Sequence, residues 1–554
     1  MRGGRLGDQC GRPGKVAIFE QFKADGIDYM FGNPGTVEQG FLDVVDSSPT
    51  RYVLALHEGV AVGMADGYAR ATGGPALVQL HSGVGLGNGI GLLYQAFRGG
   101  SPLVVVAGEA GVRYDAMDGQ MAADLVAMAA PVTKYAVRVV HPGSVLRVLR
   151  RAIKIAMTPP RGPVAVVLPA DVMDELTEEP AVPTSVPSTR TLPEPGLIRA
   201  AANALLGGER RLVLMGDGVA LAGAQRELTA VAEQLEAPVW GANSSEVNFD
   251  ATHRLYGGHL GHMFGRDSAE IVRDADAVLI VGTYVFPEVF PELASPFRPD
   301  VRIVHVDVDA YQIAKNFPVD VGIVADPRLT LAALTVELAR RAPADRTAAP
   351  RYPRGAQPRP LGTLDGGAPA PQDTVLDRFL QRLAEQAPAD VAVFDEALTA
   401  SGALTRWLPP KTPGGYFQTR GGSLGVGIPG AMGIKLARPD TTVIGFAGDG
   451  ASMYTIQALW TAARHGIGAK FVVCNNRRYR LLDLNIEQYW RDLDVTPHMH
   501  PEAFDLSRPD LEFAELAASM GVTGRRVEKV QEVDDAVRAL LDHDGPFLVD
   551  LVID

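Results

Sequence analysis

Two apolar runs in the last third of the chain each end in residues that could bind a cation. Gly448-Asp449-Gly450 follows the β-branched run 441–447, and Asn475-Asn476 follows the apolar run 471–474. Helical spacing over residues 454–465 separates them, so the stretch predicts a strand–helix–strand unit. The ends of parallel strands meet at one edge of the sheet, so Asp449 and Asn476 should face one point.

The residue types at this point indicate a diphosphate site with a bridging divalent cation. Asp449 and Asn476 offer hard oxygens, which suit Mg²⁺ or Ca²⁺ rather than zinc. The glycines allow close backbone approach, and a helix beginning near Ala451 would direct free N–H groups at a phosphate. The alternative is an ordinary α/β turn with a capping Asp, which the Asn pair at this distance disfavours.

The first third of the chain repeats the pattern of strands that end in polar residues. An Asn-Pro-Gly-Thr turn, residues 33–36, follows the run 26–31. Glu58 follows the run 51–56, and His81 follows the run 75–80. Taken alone, Glu58 is more often a helix cap and His81 a buried, hydrogen-bonded histidine. The glycines of 83–89 do not fit G-x-G-x-x-G, which argues against a dinucleotide site.

Composition and element order bound the architecture. The 554 residues alternate strands and helices, which predicts three α/β domains with doubly wound parallel sheets at 15–176, 197–341 and 372–554. Proline-rich stretches at 177–196 and 342–371 are interpreted as linkers, and residues 1–14 as a disordered tail.

Charge and cysteine content exclude several classes of protein. A net charge of −13 argues against nucleic acid as a partner. No apolar run is long enough for a membrane span, and the two cysteines cannot form a disulfide framework. We therefore expect a cytoplasmic enzyme with no nucleic-acid or membrane partner.

The Gly-Asp-Gly and Asn-Asn spacing resembles the cofactor signature of the thiamine-diphosphate-dependent enzymes. The first 175 residues are similar to the benzoylformate decarboxylase and acetolactate-synthase-like members through residues 31–35, Leu80-His81-Ser82 and Gly87-Asn88. The resemblance implies catalytic roles for Glu58, His81 and Thr36. It implies metal ligation by Asp449, Asn476 and the backbone carbonyl of Arg478.

In that family a first-domain glutamate drives a proton relay on the aminopyrimidine ring that generates the thiazolium ylid, and the resemblance gives this role to Glu58. It also implies that Leu424 lies under the bent cofactor. The residues placed around thiamine diphosphate in this way are Asn33, Pro34, Gly35, Glu58, Thr399, Gly422, Ser423, Leu424, Gly448, Asp449, Gly450, Ala451, Ser452, Asn476, Arg478 and Tyr479.

Three features depart from the decarboxylase pattern. A second catalytic histidine would fall near Val289 and is missing, and the adjacent Glu288 is either a substitute or a surface residue. Arg477, Arg478 and Arg480 either bind an acidic group of the substrate or form a solvated stretch. His498 and His500 are interpreted as part of a lid rather than a zinc site.

The resemblance implies a thiamine-diphosphate- and Mg²⁺-dependent enzyme that cleaves a 2-oxo acid and releases an aldehyde. A carboligase that transfers the intermediate to a second carbonyl, such as an aldehyde acceptor, is the alternative. A flavin oxidase and a catalytically silent cofactor-binding paralogue are less favoured. The family also implies a homodimer at minimum, commonly a homotetramer, with the cofactor between subunits.

Overall fold

Three six-stranded sheets form the framework of this computed structural model, which describes residues 11–341 and 374–553. Within each sheet every strand pair is parallel. The predicted fold of three parallel α/β domains is therefore confirmed. The expected linker 342–371 and residues 1–10 lie outside the described part of the chain. In the described ranges, no helix combines the length and apolar character needed to cross a membrane.

The first sheet has the strand order β3-β2-β4-β5-β7-β6. Its central strands are apolar runs buried on both faces, as expected for a parallel sheet covered by helices. The elements of this part are β1 (Arg12–Pro13), α1 (Gly14–Ala24), β2 (Tyr29–Gly32), α2 (Gln39–Val45), β3 (Arg51–Leu54), α3 (Glu58–Thr72), β4 (Ala76–Leu80), α4 (Ser82–Gly99), β5 (Leu103–Glu109), α5 (Leu125–Ala129), β6 (Tyr135–Arg138), α6 (Val145–Met157), β7 (Val164–Pro169), α7 (Ala170–Asp174) and β8 (Leu176–Thr177).

Part of the segment expected to be a disordered tail is ordered. β1 pairs antiparallel with β8, so regular structure begins at Arg12 rather than after residue 14. The Arg12 guanidinium fixes this ribbon, because it donates to the carbonyls of Thr177 and Glu179 and pairs with Glu20.

The second sheet has the strand order β11-β10-β9-β12-β13-β14. Residues 178–194, within the proline-rich stretch, form no helix or strand. The elements are α8 (Pro195–Leu206), β9 (Arg211–Met215), α9 (Gly218–Ala222), α10 (Gln225–Leu235), β10 (Val239–Gly241), β11 (Tyr256–His259), α11 (Gly265–Val272), β12 (Ala277–Val281), β13 (Arg302–Asp307), β14 (Val321–Val324) and α12 (Pro327–Arg341).

The third sheet has the strand order β16-β15-β17-β18-β20-β19. Its elements are α13 (Val375–Gln386), β15 (Ala392–Glu396), α14 (Ser401–Trp407), β16 (Tyr416–Gln418), α15 (Gly427–Ala437), β17 (Val443–Gly448), α16 (Asp449–Ser452), α17 (Ala458–His465), β18 (Lys470–Asn475), α18 (Arg480–Asp492), α19 (Phe513–Ser519), β19 (Thr523–Val527), α20 (Val533–Asp542) and β20 (Phe547–Val552).

The helix predicted over 454–465 is interrupted. The chain forms the short α16, then a turn over 453–457, and resumes as α17 at Ala458. Thr455 accounts for the break, since its buried side chain donates to the carbonyl of Gly425 at 2.7 Å. The turn therefore docks on the loop that precedes α15 instead of continuing the helix.

The first and third domains pack through α3 and α15, which cross almost in backbone contact. A Cβ on Gly67 would lie 2.0 Å from the carbonyl oxygen of Gly430, and one on Gly433 would lie 2.0 Å from that of Met64. Only glycine fits at such a crossing. The apolar core around it is continuous between the two domains, so both sheets are held in one rigid arrangement.

Candidate active site

The carboxyl ends of β17 and β18 bring Asp449 and Asn476 side by side. Asp449 Oδ2 and Asn476 Oδ1 both accept the backbone N–H of Arg478, at 3.3 and 3.0 Å. The second oxygen of Asp449 accepts the N–H of Gly450 at 2.7 Å. The structure thus joins the three residues predicted to bind the metal in one small cluster.

The chemistry of this cluster fits a divalent cation. Asp449 is 3% exposed, and burial raises the pKa of its carboxyl despite several backbone N–H donors. A buried carboxylate is costly without a compensating charge, which a hard cation would supply. No group of three His, Cys, Asp or Glu side chains suited to a metal occurs in the described residues. Amide and backbone oxygens, such as those at Asn476 and Arg478, would complete the ligand set of such a cation.

Residues 475–477 show why the second asparagine of the pair faces this cluster. Asn475 is buried, and its amide donates to Asp550 Oδ1 at 2.9 Å, which ties the end of β18 to the neighbouring strand β20. Arg477 has a φ of +59°, unusual for a residue with a side chain. Its guanidinium is paired with Asp510 at 3.1 Å. The backbone reversal at Arg477 turns residue 478 back toward Asp449.

The turn after β17 leaves open space beside Asp449. A Cβ on Gly448 would meet no atom within 4 Å, whereas one on Gly450 would lie 2.4 Å from the ring of Tyr479. Gly450 therefore lets the tyrosine pack on the turn, and Gly448 leaves room for a ligand group. The Ser452 hydroxyl donates to the carbonyl of Gly448 at 2.8 Å, and this hydrogen bond stabilises the turn.

The loop before α15 is built on glycines in the left-handed region. Their φ values are +68°, +76° and +94° at Gly421, Gly422 and Gly425. Glu396, at the end of β15, accepts the three N–H groups of residues 425–427 at 2.9, 3.2 and 2.7 Å. Burial raises the pKa of Glu396 to about 7 against these donors. Ser423 and Leu424, both half-buried, lie on this tightly held loop.

Thr399 lies on the same sheet edge, in the 3₁₀ turn Leu398–Ala400 that follows β15. Leu398, directly before it, has a φ of +50°. Leu398 is thus, after Arg477, a second residue with a side chain whose backbone is in the left-handed region where predicted cofactor-binding residues cluster, and such strain is typical of functional sites.

Glu58 is the first residue of α3 and is 4% exposed. The Asn33 amide donates to Oε1 at 3.3 Å, and the Asn88 amide donates to Oε2 at 3.0 Å. The residue that caps the helix is His57, whose ring accepts the N–H of Gly59. Capping therefore does not explain the buried position of Glu58, which two amides orient.

His81 directly follows β4 and lies against the Asn-Pro-Gly turn. Its Nδ1 is 2.8 Å from Oε2 of Glu38, a carboxylate that is 1% exposed. A Cβ on Gly35 would lie 1.9 Å from Nδ1, so the ring packs directly on the glycine backbone. Sequence reasoning missed Glu38. Its place two residues after Thr36 was the one available signal.

The predicted residues therefore form two groups, one at each of two sheet edges. Asn33, Glu58 and His81 lie at the edge of the first sheet, near Pro34, Gly35 and the exposed Thr36. The second group consists of Thr399 and the predicted residues between 422 and 479. No hydrogen bond or ion pair within the described ranges joins one group to the other.

The residue beside the missing histidine is not on the surface. Glu288 is 6% exposed and accepts the hydroxyl of Ser268, and its second oxygen has no partner in the described part of the chain. The surface interpretation of Glu288 is therefore wrong. Val289 is 56% exposed, and its N–H donates to the carbonyl of His262.

The basic and histidine-containing segments after Asn476 are tied to each other. Arg478 forms a two-point ion pair with Asp483 at 2.7 and 2.9 Å, and His500 Nδ1 lies 2.7 Å from the same carboxylate. His498 packs against the buried Trp490 ring at 4.5 Å. The segment around residue 500 is thus fastened to α18, and the described residues contain no zinc-type cluster there.

Comparison with known proteins accounts for this arrangement. Models of the thiamine pyrophosphate enzymes match in three parts: the N-terminal TPP-binding domain at residues 13–128, the central domain at 198–334 and the C-terminal TPP-binding domain at 399–551. The two groups of site residues fall in the matched N-terminal and C-terminal TPP-binding domains.

Individual relatives match over nearly the whole chain. Benzoylformate decarboxylase of Pseudomonas aeruginosa is 32% identical, over 97% of this chain and 98% of its own. Acetolactate synthase isozyme 3 large subunit of Escherichia coli is 29% identical, over 96% and 92%. The thiamine diphosphate-dependent 4-hydroxybenzoylformate decarboxylase of Rhodococcus jostii RHA1 superposes with a TM-score of 0.85, at 28% identity, over 98% and 99%. The chain belongs to the thiamine pyrophosphate enzyme family.

Proposed function

We propose that this protein is a thiamine diphosphate- and Mg²⁺-dependent decarboxylase of a 2-oxo acid. The observation that carries the proposal is the pair of half-sites on one chain. One half-site holds a buried glutamate between two amides, and the other sets a buried aspartate and an asparagine around a single N–H.

When bound, thiamine diphosphate supplies the nucleophilic carbon and the electron sink for loss of CO₂. Asp449, Asn476 and the carbonyl of Arg478 would hold the cation, and the turn at Gly448 would receive the diphosphate. Glu58 would hydrogen-bond the aminopyrimidine and hold or move its proton. Leu424, fixed by the loop at Glu396, would support the cofactor between its two ends.

The separation of the two half-sites supports a homodimer in which each site combines residues of two chains. Large apolar side chains flank both half-sites and are exposed in the single chain. Leu56 and Val84 beside Glu58 are 46% and 61% exposed, and Tyr454 after Asp449 is 55% exposed. Apolar exposure of this kind favours burial against a second copy.

The ion pairs after Asn476 argue against Arg477 and Arg478 as partners for a second acidic group of the substrate. Arg477 is paired with Asp510 and Arg478 with Asp483. Neither guanidinium is presented as a free partner for a second acidic group. These two arginines therefore give no support for a dicarboxylic substrate.

Carboligation is the second candidate, because the match to acetolactate synthase is almost as long as the match to benzoylformate decarboxylase. That reaction would join the acyl fragment left after loss of CO₂ to a second carbonyl compound, whereas simple decarboxylation would add a proton to it. The two activities are separated by supplying aldehyde or 2-oxo acid acceptors and analysing the products.

The test is a panel of 2-oxo acids given to protein loaded with thiamine diphosphate and Mg²⁺, with CO₂ release and products measured. We expect turnover that EDTA abolishes and added Mg²⁺ restores. Glu58→Gln should lose most activity while keeping the fold, because the amide cannot take up the proton. Glu109→Gln is the matched control, since Glu109 pairs with Arg138 in the same domain.

The proposal fails if no acid of the panel releases CO₂ or forms a ligated product. It also fails in its assignment of Glu58 if Glu58→Gln retains the activity of Glu109→Gln.

A further inference from the structure

We propose that Glu38 is a positioning residue that holds His81 in its Nδ1–H form, which leaves Nε2 free to exchange a proton with the substrate. This inference rests on the proposed function for its chemistry. It rests on the structure alone for the contact between the two side chains.

Glu38 is held by backbone N–H groups as well as by His81. Oε1 accepts the N–H of Gly108 at 3.0 Å and that of Ser82 at 3.3 Å, and Oε2 is 2.8 Å from His81 Nδ1. Glycines at two positions leave the space that the Glu38 and His81 side chains fill. A Cβ on Gly108 would lie 2.2 Å from Oε1, and one on Gly35 would lie 1.9 Å from Nδ1. The pair is therefore built into the sheet edge rather than formed by two mobile side chains.

The hydrogen bonds on Glu38 decide whether the proton between Glu38 Oε2 and His81 Nδ1 lies on the carboxyl or on the imidazole. Burial raises the pKa of Glu38, while the imidazole and the two backbone N–H groups act in the opposite direction. Two N–H donors on Oε1 favour the ionised carboxylate, which can only accept at Oε2. His81 Nδ1 must then be the donor. The neutral ring consequently carries its lone pair on Nε2, which forms no hydrogen bond with any described residue and can take up a proton and return it.

Two other titratable groups, Glu58 and Tyr52, lie near the Glu38–His81 pair. Glu58 lies at the same edge but is held by the Asn33 and Asn88 amides rather than by the imidazole. Tyr52, from β3, donates to Gln79 at 2.5 Å, and burial raises the pKa of its hydroxyl, with smaller contributions from Glu38 and Glu58. Tyr52 therefore stays neutral, and Glu38 is the group that sets the state of His81.

The Glu38 carboxylate also stabilises the backbone at Ser82. It follows His81 directly and has a φ of +47°, in the left-handed region. The N–H of this strained residue is one of the two that Oε1 accepts. Glu38 thus holds both the ring of His81 and the backbone that carries it.

Glu38→Gln is a sharp test because it is isosteric. The two backbone N–H groups should retain the amide oxygen, which turns the NH₂ group toward His81. Nδ1 would then accept, and the proton would move to Nε2. The tautomer is read from the ¹⁵N signals of the imidazole in protein with labelled histidine, assigned with His81→Gln. This measurement needs no turnover.

We expect the pyrrole-type and pyridine-type nitrogens of His81 to exchange places in Glu38→Gln and to stay unchanged in Glu109→Gln. With the 2-oxo acid found by the panel, kcat should fall about tenfold or more, with a smaller change in KM, since general acid–base catalysis contributes about 10² or more. In a His81→Gln background, Glu38→Gln should add no further loss.

An unchanged tautomer in Glu38→Gln would overturn the proposal, as would an inverted tautomer with unchanged kcat. An additive loss in the double variant would also overturn it. If the wild-type protein turns over no 2-oxo acid, the proposed function fails separately, and the ¹⁵N measurement still decides whether Glu38 controls the ring.

Discussion

Arg420 is the residue at which the three domains meet. We predict that its replacement by Met lowers the free energy of unfolding by several kcal/mol, as breaking a buried ion pair does. It lies in the third domain, directly before the loop at 421–425. Its guanidinium donates to the carbonyl of Gly99 in the first domain and to the hydroxyl of Ser245 in the second. It also pairs with Asp217 of the second domain at 2.5 Å. Both charged side chains are almost fully buried.

The size of the loss in stability follows from the environment of Asp217 in the Arg420→Met variant. Burial by itself would raise the pKa of Asp217, but the charge of Arg420 and hydrogen bonds from Asn248 and Ser245 hold it below its ordinary value. Arg420→Met leaves this carboxylate buried without its cation. Breaking a buried pair in this way costs about 3–5 kcal/mol. An exposed pair is worth about 0–1 kcal/mol.

Arg382→Met is the matched control. Arg382 pairs with Asp534 at 2.7 Å, and the two side chains are 30% and 37% exposed. Thermal unfolding, followed by tryptophan fluorescence, should show Arg420→Met melting about 3 °C or more below the wild type and Arg382→Met within about 1 °C of it. Combining Asp217→Asn with Arg420→Met should recover part of the loss, because the unpaired charge is removed.

Equal unfolding temperatures for Arg420→Met and Arg382→Met would refute the assigned strength of the buried pair. The pairing is also refuted if the double variant is less stable than Arg420→Met by the full cost of Asp217→Asn, since that result would mean the two side chains act independently.

Two further predictions concern packing and pH. Gly67→Ala places a methyl group 2.0 Å from the carbonyl of Gly430 and should lower the free energy of unfolding by about 1–3 kcal/mol or more, whereas Gly119→Ala, whose Cβ meets nothing within 4 Å, should leave it unchanged in a urea titration. Burial lowers the pKa of Lys470 to about 8 from an ordinary value of 10.5, so unfolding takes up a proton between these values and stability rises with pH across this window. Lys470→Met should flatten that rise in urea titrations at pH 8 to 10, and an unchanged slope would contradict the shift.

Local patterns in the sequence predict the fold because the strands of a buried parallel sheet are short apolar runs that end in polar turns. The runs before Asp449 and Asn476 become β17 and β18, and the run before Glu58 becomes β3. The closeness of Asp449 and Asn476 also follows from this topology, since both residues stand at the ends of neighbouring parallel strands.

Contacts between distant segments were not predictable in this way. The break before α17 depends on the bond from Thr455 to Gly425, thirty residues earlier. The link from Glu38 to His81 spans 43 residues, and that from Arg420 to Ser245 spans 175. No periodicity or spacing encodes such pairs, because they depend on how completed elements pack. Asn476 was correctly predicted to face Asp449, but the contact that holds Asn475 away from it, with Asp550 of β20, is again between distant segments.

The two half-sites are connected mechanically, although no hydrogen bond or ion pair among the described residues joins them. Glu58 is the first residue of α3, and the loop that carries Leu424 runs directly into α15. Those two helices cross with backbone contact at Gly67 and Gly430, where there is no side chain to absorb a shift. Thr461 and His465 of α17 also bind the carbonyl and N–H of Leu54, at the end of the strand that leads to Glu58. In the proposed dimer each chain contributes its two half-sites to two different cofactors. The α3–α15 crossing would then make the geometry of one site depend on that of the other.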